Sequence, residues 1–168
     1  MKVINLGMPI RAEEEIKSLG TKRLENTDVR FQNVHLKQIN DLTGRKVFTK
    51  NDLFMDAGGL WDILSKEKLA LGRHHHCHNL SPKSVVAALL ALQHPELVVA
   101  QIGTRRYVVV SLSVEGKAVL AVIEVNAPLR NDRNANINKL VTLYAKEKYP
   151  EYLRRLEKRV DVRILYKK

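Results

Sequence analysis

Several features that define common protein classes are missing from this sequence. It has one cysteine in 168 residues, so no disulfide can form within the chain and a disulfide-stapled secreted scaffold is excluded. No run of about 18 apolar residues occurs, so no membrane span is expected. The N-terminus lacks the apolar core and small-residue cleavage pattern of a signal peptide. We therefore expect a cytoplasmic protein without membrane contact, or one that is delivered into a target cell.

Motifs for nucleotide binding and nucleophilic catalysis are also missing. The chain contains no P-loop, no GxGxxG fingerprint and no GxSxG elbow. Aromatic residues make up only 5% of the sequence, which argues against a platform that stacks single-stranded bases. The chain is 45% hydrophobic, enough for a core, and its length predicts a single domain over residues 1–168.

Positive charge is the main surplus of this sequence. The chain carries 29 Lys and Arg against 18 Asp and Glu, a formal net charge of +11. Residues 127–168 alone hold 12 Lys and Arg against 5 Asp and Glu. Such a surplus favours polyanions through counterion release and electrostatic steering. We therefore expect nucleic acid as substrate or partner; the alternative is a merely solubilising surface.

The hydrophobic pattern changes near residue 95. Before it the pattern is mostly helical, with a short strand around Val29 and Phe31 and a helix that Ser81 caps. After it the pattern alternates as in strands, with one late helix. This order predicts an α+β fold in which N-terminal helices, within a mainly helical region of residues 1–72, pack on a mostly antiparallel four- to five-stranded sheet formed by residues 73–168. The predicted helices are 10–20, 51–72, 81–95 and 146–160, and the other predicted strands are 97–102, 106–114, 118–126, 136–144 and 160–166.

A histidine cluster stands just before the helix that Ser81 caps. Residues 73–81 read RHHHCHNLS and hold four histidines and the only cysteine. In a helical segment His74, Cys77 and His78 would converge as metal ligands, although no second short-spaced pair of ligands occurs in the chain. Imidazole, with a pKa of about 6.5, can instead exchange a proton at neutral pH, and the helix N-terminus nearby attracts phosphate. A polar loop that faces water is the third interpretation.

The predicted strand NINKLVTLY alternates polar and apolar side chains. An extended chain places Asn138, Thr142 and Tyr144 on one face with Leu140, while the opposite face is apolar except for Lys139. Burying an amide, a hydroxyl and a phenol in a row costs free energy, so such a row on a strand suggests a function. The strand is therefore a candidate functional face; an ordinary half-exposed strand is the alternative.

Arginines at two places are candidates for contact with phosphate. Arg105 and Arg106 begin a predicted hairpin strand, and a guanidinium group can bind phosphate through two parallel hydrogen bonds. The segment RNDRNAN, residues 130–136, is predicted as a basic loop between two strands, with Arg130 and Arg133 available for substrate. The alternative is that these exposed arginines are only solvated.

From about His78 to its end, the chain resembles the nuclease-like domains at the C-termini of phage MuF-type head proteins and in phage polyvalent proteins. These domains are assigned to the barnase–EndoU–colicin–RelE (BECR) superfamily. The family pattern is a histidine before a short helix that ends at a proline, a hairpin, a strand of the type N-x-I-x-S-V-Y, and a terminal L-Y-x-x-K. Thr142 stands where serine is more usual. The matching blocks are HNLSPKSVVAALLALQHPELVV, RRYVVVSLSVEGKAVLAVIEVN, NINKLVTLYAK and VRILYKK.

The resemblance implies a BECR-like fold and a metal-independent endoribonuclease of a phage-related toxin or effector. Such an enzyme needs no cofactor, acts on RNA, with tRNA among the candidate substrates, and is restrained by an immunity or antitoxin protein. His78 or His76 would act as general base or acid when the RNA 2′-hydroxyl attacks the adjacent phosphate. The alternatives are a non-catalytic nucleic-acid-binding module and a metalloprotein that uses His74, Cys77 and His78.

The remaining site residues follow from the resemblance and the charge together. Arg106, with Arg105 or Lys139, would stabilise the charge of the phosphorane. Thr142 and Tyr144 would position the phosphate. The other substrate-binding candidates are Asn138, which would hold either the substrate or a loop, Arg130 and Arg133.

Overall fold

The computed structural model describes residues 2–9, 11–64, 80–114, 117–129 and 132–168. The eight strands are β1 (Lys2–Gly7), β2 (Thr27–Gln32), β3 (Leu53–Asp56), β4 (Leu97–Gln101), β5 (Arg106–Val114), β6 (Lys117–Leu129), β7 (Asp132–Lys146) and β8 (Val162–Lys167). The described helices are α1 (Ala12–Leu19), α2 (Gln38–Thr43), α3 (Ala57–Leu64), α4 (Pro82–Ala91) and α5 (Tyr149–Glu157). All eight strands belong to one sheet, in the order β1-β2-β3-β7-β6-β5-β4-β8.

The predicted fold class was wrong. The sheet has eight strands rather than four to five, and it is mixed, because β1 pairs with β2 and β3 pairs with β7 in parallel. The described part of the region predicted as mainly helical, residues 1–72, supplies β1, β2 and β3 as well as α1, α2 and α3. The helix predicted over 51–72 is a strand at its start, where Leu53 and Met55 are buried and their neighbours are half-buried. Short strands of this kind give little periodic signal.

The helix predicted over 81–95 is confirmed as α4. Ser81 caps it, since its hydroxyl accepts a hydrogen bond from the backbone N–H of Ser84, and Pro82 occupies the first helical position. Val85 and Leu89 lie one turn apart on the buried face. The hairpin of β5 and β6 and the strands β2, β4 and β8 are also confirmed, as are α1 and α5.

The two faces of the sheet are covered differently. On the first face, Phe31, Leu53 and Leu140 share a large core with α1, α3 and α4. On the second face, Val110 and Leu120 lie in a smaller core with residues of α5. The described residues of that smaller core come only from β4 to β8 and α5. We call the rest of the second face, over β1 to β3 and the adjoining parts of β5 to β7, the open face.

A bulge in β7 moves its polar side chains to different faces. Thr142 pairs with Val122 and Leu140 pairs with Ile123, so Val141 is an extra residue. Leu140 therefore faces the first core, whereas Tyr144 packs against the second. The prediction that Asn138, Leu140, Thr142 and Tyr144 share one face was wrong. The prediction of a loop was also wrong for residues 132–136, which belong to β7.

None of the helices in the described ranges is long and apolar enough to span a membrane; the longest, α4, has 10 residues. The prediction of a single domain over 1–168 stays a prediction.

Candidate functional site

Side chains of six neighbouring strands form a row across the open face. Each member is the register partner of the next, so the row crosses the strands at one level. Neighbouring strands lie about 4.8 Å apart, which brings adjacent side chains of such a row within contact distance. We call this set the transverse row. It consists of Asn5, Arg30, Phe54, Lys139, Glu124 and Arg106.

One end of the transverse row places a carboxylate between two cations. Arg106 Nε lies 3.8 Å from Glu124 Oε1, and their side chains are 46% and 24% exposed. Lys139, on the other side of Glu124, is exposed and makes no ion pair with any described residue. Two cations on an exposed sheet surface can bind a phosphate, and the carboxylate between them can accept a proton. The structure thus brings the predicted residues Arg106 and Lys139 together.

Glu124 was missed in the sequence. The signal was a single acidic residue in the otherwise apolar strand AVLAVIEVN. Arg105, the other predicted phosphate ligand, donates a hydrogen bond from Nη1 to the backbone oxygen of Asn126 at 3.2 Å. Asn126 has a positive φ of 53° and lies where the register of β6 against β7 shifts. The hydrogen bond from Arg105 therefore stabilises an irregular part of β6. Arg133 is exposed near the start of β7.

The middle of the transverse row is an aromatic ring beside an arginine. Arg30 Nε donates to Asp52 Oδ2 at 2.8 Å, and Nη2 bonds the same oxygen. The guanidinium carbon of Arg30 lies 5.7 Å from the centre of the Phe54 ring. This geometry is a cation–π contact that the Asp52 ion pair holds in place. Phe54 itself is only half-buried.

Two pockets lie on either side of Phe54. The larger, which we call the basic pocket, has a volume of about 490 Å³. The smaller has a volume of about 240 Å³ and is lined by Asp28 and Asp56, which are register partners, and by Lys139. The basic pocket is lined by Arg30, Lys37, Thr49, Lys50, Asn51, Asp52, Phe54, Leu129, Ala135, Ile137 and Asn138.

Asn138 holds one wall of the basic pocket. Its side chain is 3% exposed, and its Nδ2 donates to the backbone oxygens of Lys50 at 2.8 Å and of Asp52 at 3.1 Å. Both amide protons are therefore used to fix the segment that leads into β3. Asn138 was predicted to hold either the substrate or a loop, and in these contacts it holds the loop before β3.

Tyr144 lies away from the charged end of the transverse row. It pairs with Leu120, four residues along β6 from Glu124, which corresponds to about 13 Å of extended strand. A phosphate bound at Arg106 cannot contact it at that separation. Thr142 pairs with Val122, only two residues from Glu124 and on the same face. The predicted group is thus split: Thr142 stays near Arg106 and Lys139, and Tyr144 belongs to the contact with α5.

Tyr144 of β7 and Tyr149 and Tyr152 of α5 pack against the smaller core of the second face. Burial raises the pKa of Tyr144. Burial, with the nearby Tyr144 as a further cause, raises the pKa of Tyr152 to about 12. Lys146 Nζ lies 5.4 Å from the centre of the Tyr152 ring. These phenols stay neutral at physiological pH and pack as amphipathic rings.

The raised pKa of Tyr152 predicts a loss of stability in alkaline solution. A group whose pKa is about 12 in the folded protein and 10.0 when unfolded stabilises the fold below pH 10 and loses this contribution as the pH rises to 12. We expect the free energy of unfolding to fall over that interval, and to fall less in Tyr152→Phe. Denaturant unfolding at about pH 9 and about pH 11.5 measures it. Tyr166→Phe, which removes a phenol outside this cluster, is the control. An identical fall in wild type and Tyr152→Phe would contradict the assignment.

The predicted histidines, His76 and His78, lie outside the described residues. The alternative metal set of His74, Cys77 and His78 lies outside them as well, as does Arg130. Leu80, which follows closely, is 4% exposed in the core of the first face, and its N–H donates to the oxygen of Ile63 at 3.0 Å. Within the described ranges, no group of three or more His, Cys, Asp and Glu side chains is placed to hold a metal ion.

Comparison with protein-family models, with curated proteins and with solved structures finds no significant match to this chain.

Proposed function

We propose that this chain is a metal-independent endoribonuclease that binds RNA across the open face of its sheet. The observation that supports this most is the end of the transverse row, where Arg106 and Lys139 flank Glu124 on a surface that none of the described helices covers. The chain around it carries a net charge of +11, which favours an anionic polymer. The resemblance to phage nuclease-like domains supports the same reaction class. It also supports a toxin or effector role, in which an immunity protein would cover this face.

The proposed reaction needs two proton transfers and a site for negative charge. The 2′-oxygen of RNA attacks the adjacent phosphorus while a base removes its proton. The bond from phosphorus to the 5′-oxygen breaks, an acid protonates that oxygen, and a 2′,3′-cyclic phosphate and a 5′-hydroxyl result. We assign these transfers to His78 or His76, with Glu124 as a second candidate for the base. Arg106 and Lys139 stabilise the charge on the phosphorane.

The binding half of the proposal predicts a change in salt dependence. Arg106→Gln combined with Lys139→Gln should weaken binding of single-stranded RNA and lower the slope of log Kd against log salt by about 0.7, the value for the one phosphate contact that this pair makes. Fluorescence anisotropy of a labelled oligonucleotide over a salt series measures both quantities. The control, Lys17→Gln with Lys22→Gln, removes the same charge from exposed positions on and after α1, over the first face. If both double variants weaken binding equally, only the net charge matters and the open face is not the site.

The catalytic half is tested by cleavage in the presence of EDTA. The purified protein is incubated with total RNA and with tRNA, and the new ends are examined for 2′,3′-cyclic phosphate and 5′-hydroxyl. Such ends support the reaction as written. Intact RNA, from a sample shown to be folded, would contradict the enzymatic proposal.

A non-catalytic RNA-binding module is the second candidate function. It is favoured by the position of Leu80, since this residue enters α4 on the first face, whereas Arg106 and Lys139 lie on the second. Two of the polar residues predicted as functional in β7, Tyr144 and Asn138, also have structural roles. Salt-dependent binding to the open face without any cleavage would select this function.

A further inference from the structure

The basic pocket is not used in the proposed cleavage reaction, although it adjoins the transverse row. It contains three cations, Arg30, Lys37 and Lys50, and one carboxylate, Asp52. Asp52 is ion-paired with Arg30. Within the described ranges of the chain, neither Lys37 nor Lys50 makes an ion pair through its ammonium group, and both are exposed. The pocket therefore has an excess of positive charge at its rim that is available to an anion.

The walls of this pocket are fixed by hydrogen bonds across distant segments of the chain. The amide of Asn138 in β7 holds the backbone at Lys50 and Asp52. The side chain of Asn51 accepts a hydrogen bond from the backbone N–H of Lys37 at 3.0 Å, which ties the start of α2 to the same segment. Both lysines that carry the free charge are thus attached to a backbone that is already positioned. Such preorganisation lowers the entropic cost of binding.

The floor of the basic pocket is apolar and partly aromatic. Phe54 is half-buried with the guanidinium group of Arg30 over one side of its ring, and Leu129 and Ile137 line the same space from the hairpin of β6 and β7. A volume of about 490 Å³ is within the range of small-molecule sites. The pocket thus offers a flat apolar surface to one portion of a ligand and two ammonium groups to another.

We propose, on the basis of the proposed RNA function, that the basic pocket binds one nucleotide of the RNA strand. Its base packs on Phe54 between Arg30 and Ile137, and its phosphate contacts Lys37 and Lys50. A planar aromatic ring joined to a phosphate matches this combination, because a base stacks on an aromatic ring of any kind and lysine is a general phosphate ligand.

The position of the pocket relates it to the scissile bond. Phe54 is the register partner of Lys139, so the two side chains are on adjacent strands, about 4.8 Å apart. An RNA strand that follows the transverse row therefore places one phosphate at Arg106 and Lys139 and a neighbouring nucleotide at Phe54. The pocket acts as a subsite next to the cleaved bond and contributes to substrate affinity without touching the reacting atoms.

Titration calorimetry with three probes tests the two halves of the pocket separately. The probes are a nucleoside monophosphate, the corresponding nucleoside, and inorganic phosphate. Phe54→Leu should weaken nucleotide binding roughly tenfold and leave phosphate binding unchanged. Lys37→Gln with Lys50→Gln should weaken nucleotide and phosphate and leave the nucleoside unchanged. The control is again Lys17→Gln with Lys22→Gln. Thermal unfolding of each variant confirms that it is folded.

A short RNA added to the same variants distinguishes a nucleotide in a strand from a free nucleotide. One outcome is that Phe54→Leu and the double variant Lys37→Gln with Lys50→Gln bind and cleave RNA as well as the wild type does. The pocket is then not a subsite, while the proposed function stands. If the monophosphate binds through both halves of the pocket and RNA is neither bound nor cleaved, the nucleotide site stands and the RNA function is overturned. No measurable binding of the monophosphate, together with unaltered RNA binding in the variants, overturns the inference.

Discussion

His78→Ala is expected to slow RNA cleavage by about 10²–10⁴-fold, the usual contribution of a positioned general acid or base. If His76 holds this role instead, the loss will appear in His76→Ala, and if one imidazole acts as acid and the other as base, both variants will show it. The measurement is the rate at which a defined RNA acquires 2′,3′-cyclic phosphate ends, with enzyme in excess so that binding does not limit the rate.

The matched control is His94→Ala, because His94 is an exposed histidine outside the cluster. Glu124→Gln is the decisive comparison, since it removes the carboxylate between Arg106 and Lys139 and keeps its shape. A cleavage rate that depends on Glu124 and on neither histidine would identify Glu124 as the general base. Wild-type rates in His76→Ala, His78→Ala and Glu124→Gln would contradict the assignment of the proton transfers.

The elements that the sequence predicted well are those with local signals. Ser81 and Pro82 define the start of α4, because capping and proline geometry depend on adjacent residues only. The strands β5 and β6 are apolar, rich in β-branched residues and only two residues apart in the sequence, so their pairing follows from neighbouring sequence. Arg106 was a candidate because it begins β5, and Lys139 because it is the one cation of the predicted strand NINKLVTLY.

The elements that were missed depend on distant segments of the chain. β3 has 4 residues, and its buried positions Leu53 and Met55 continue into the apolar positions of α3, so the segment resembles one helix. What makes it a strand is pairing with β2 on one side and β7 on the other. The parallel pairs require partners that are far away in sequence, and no local pattern specifies them.

The transverse row was unpredictable for the same reason. Arg30, Phe54 and Glu124 come from three strands, and only the sheet order and register bring them to one level. The extra residue Val141 changed the face of the polar residues in β7, because a single inserted residue reverses the alternation that follows it. A prediction of faces from alternation alone therefore holds only up to the first bulge.

Asn138→Ala is expected to lower the free energy of unfolding by about 2–3 kcal/mol. The substitution removes the donor to two backbone oxygens, those of Lys50 and Asp52, and leaves a space where the side chain is 3% exposed. Both effects act where β3 pairs with β7 in parallel, through only two pairs of residues. Denaturant unfolding followed by circular dichroism gives the difference directly.

Two further variants show whether the donor or the volume is responsible. Asn138→Asp keeps the shape but turns a carboxylate oxygen toward the two carbonyl oxygens, so it should be at least as destabilising as Asn138→Ala. Asn136→Ala changes an exposed residue of the same strand and should stay within about 0.5 kcal/mol of the wild type. Because the same amide fixes the wall that carries Lys50, Asn138→Ala should also weaken nucleotide binding, although Asn138 is not expected to touch the ligand. Equal stability of Asn138→Ala and Asn136→Ala would mean that the segment before β3 is held by other contacts and that the basic pocket is not preorganised in this way.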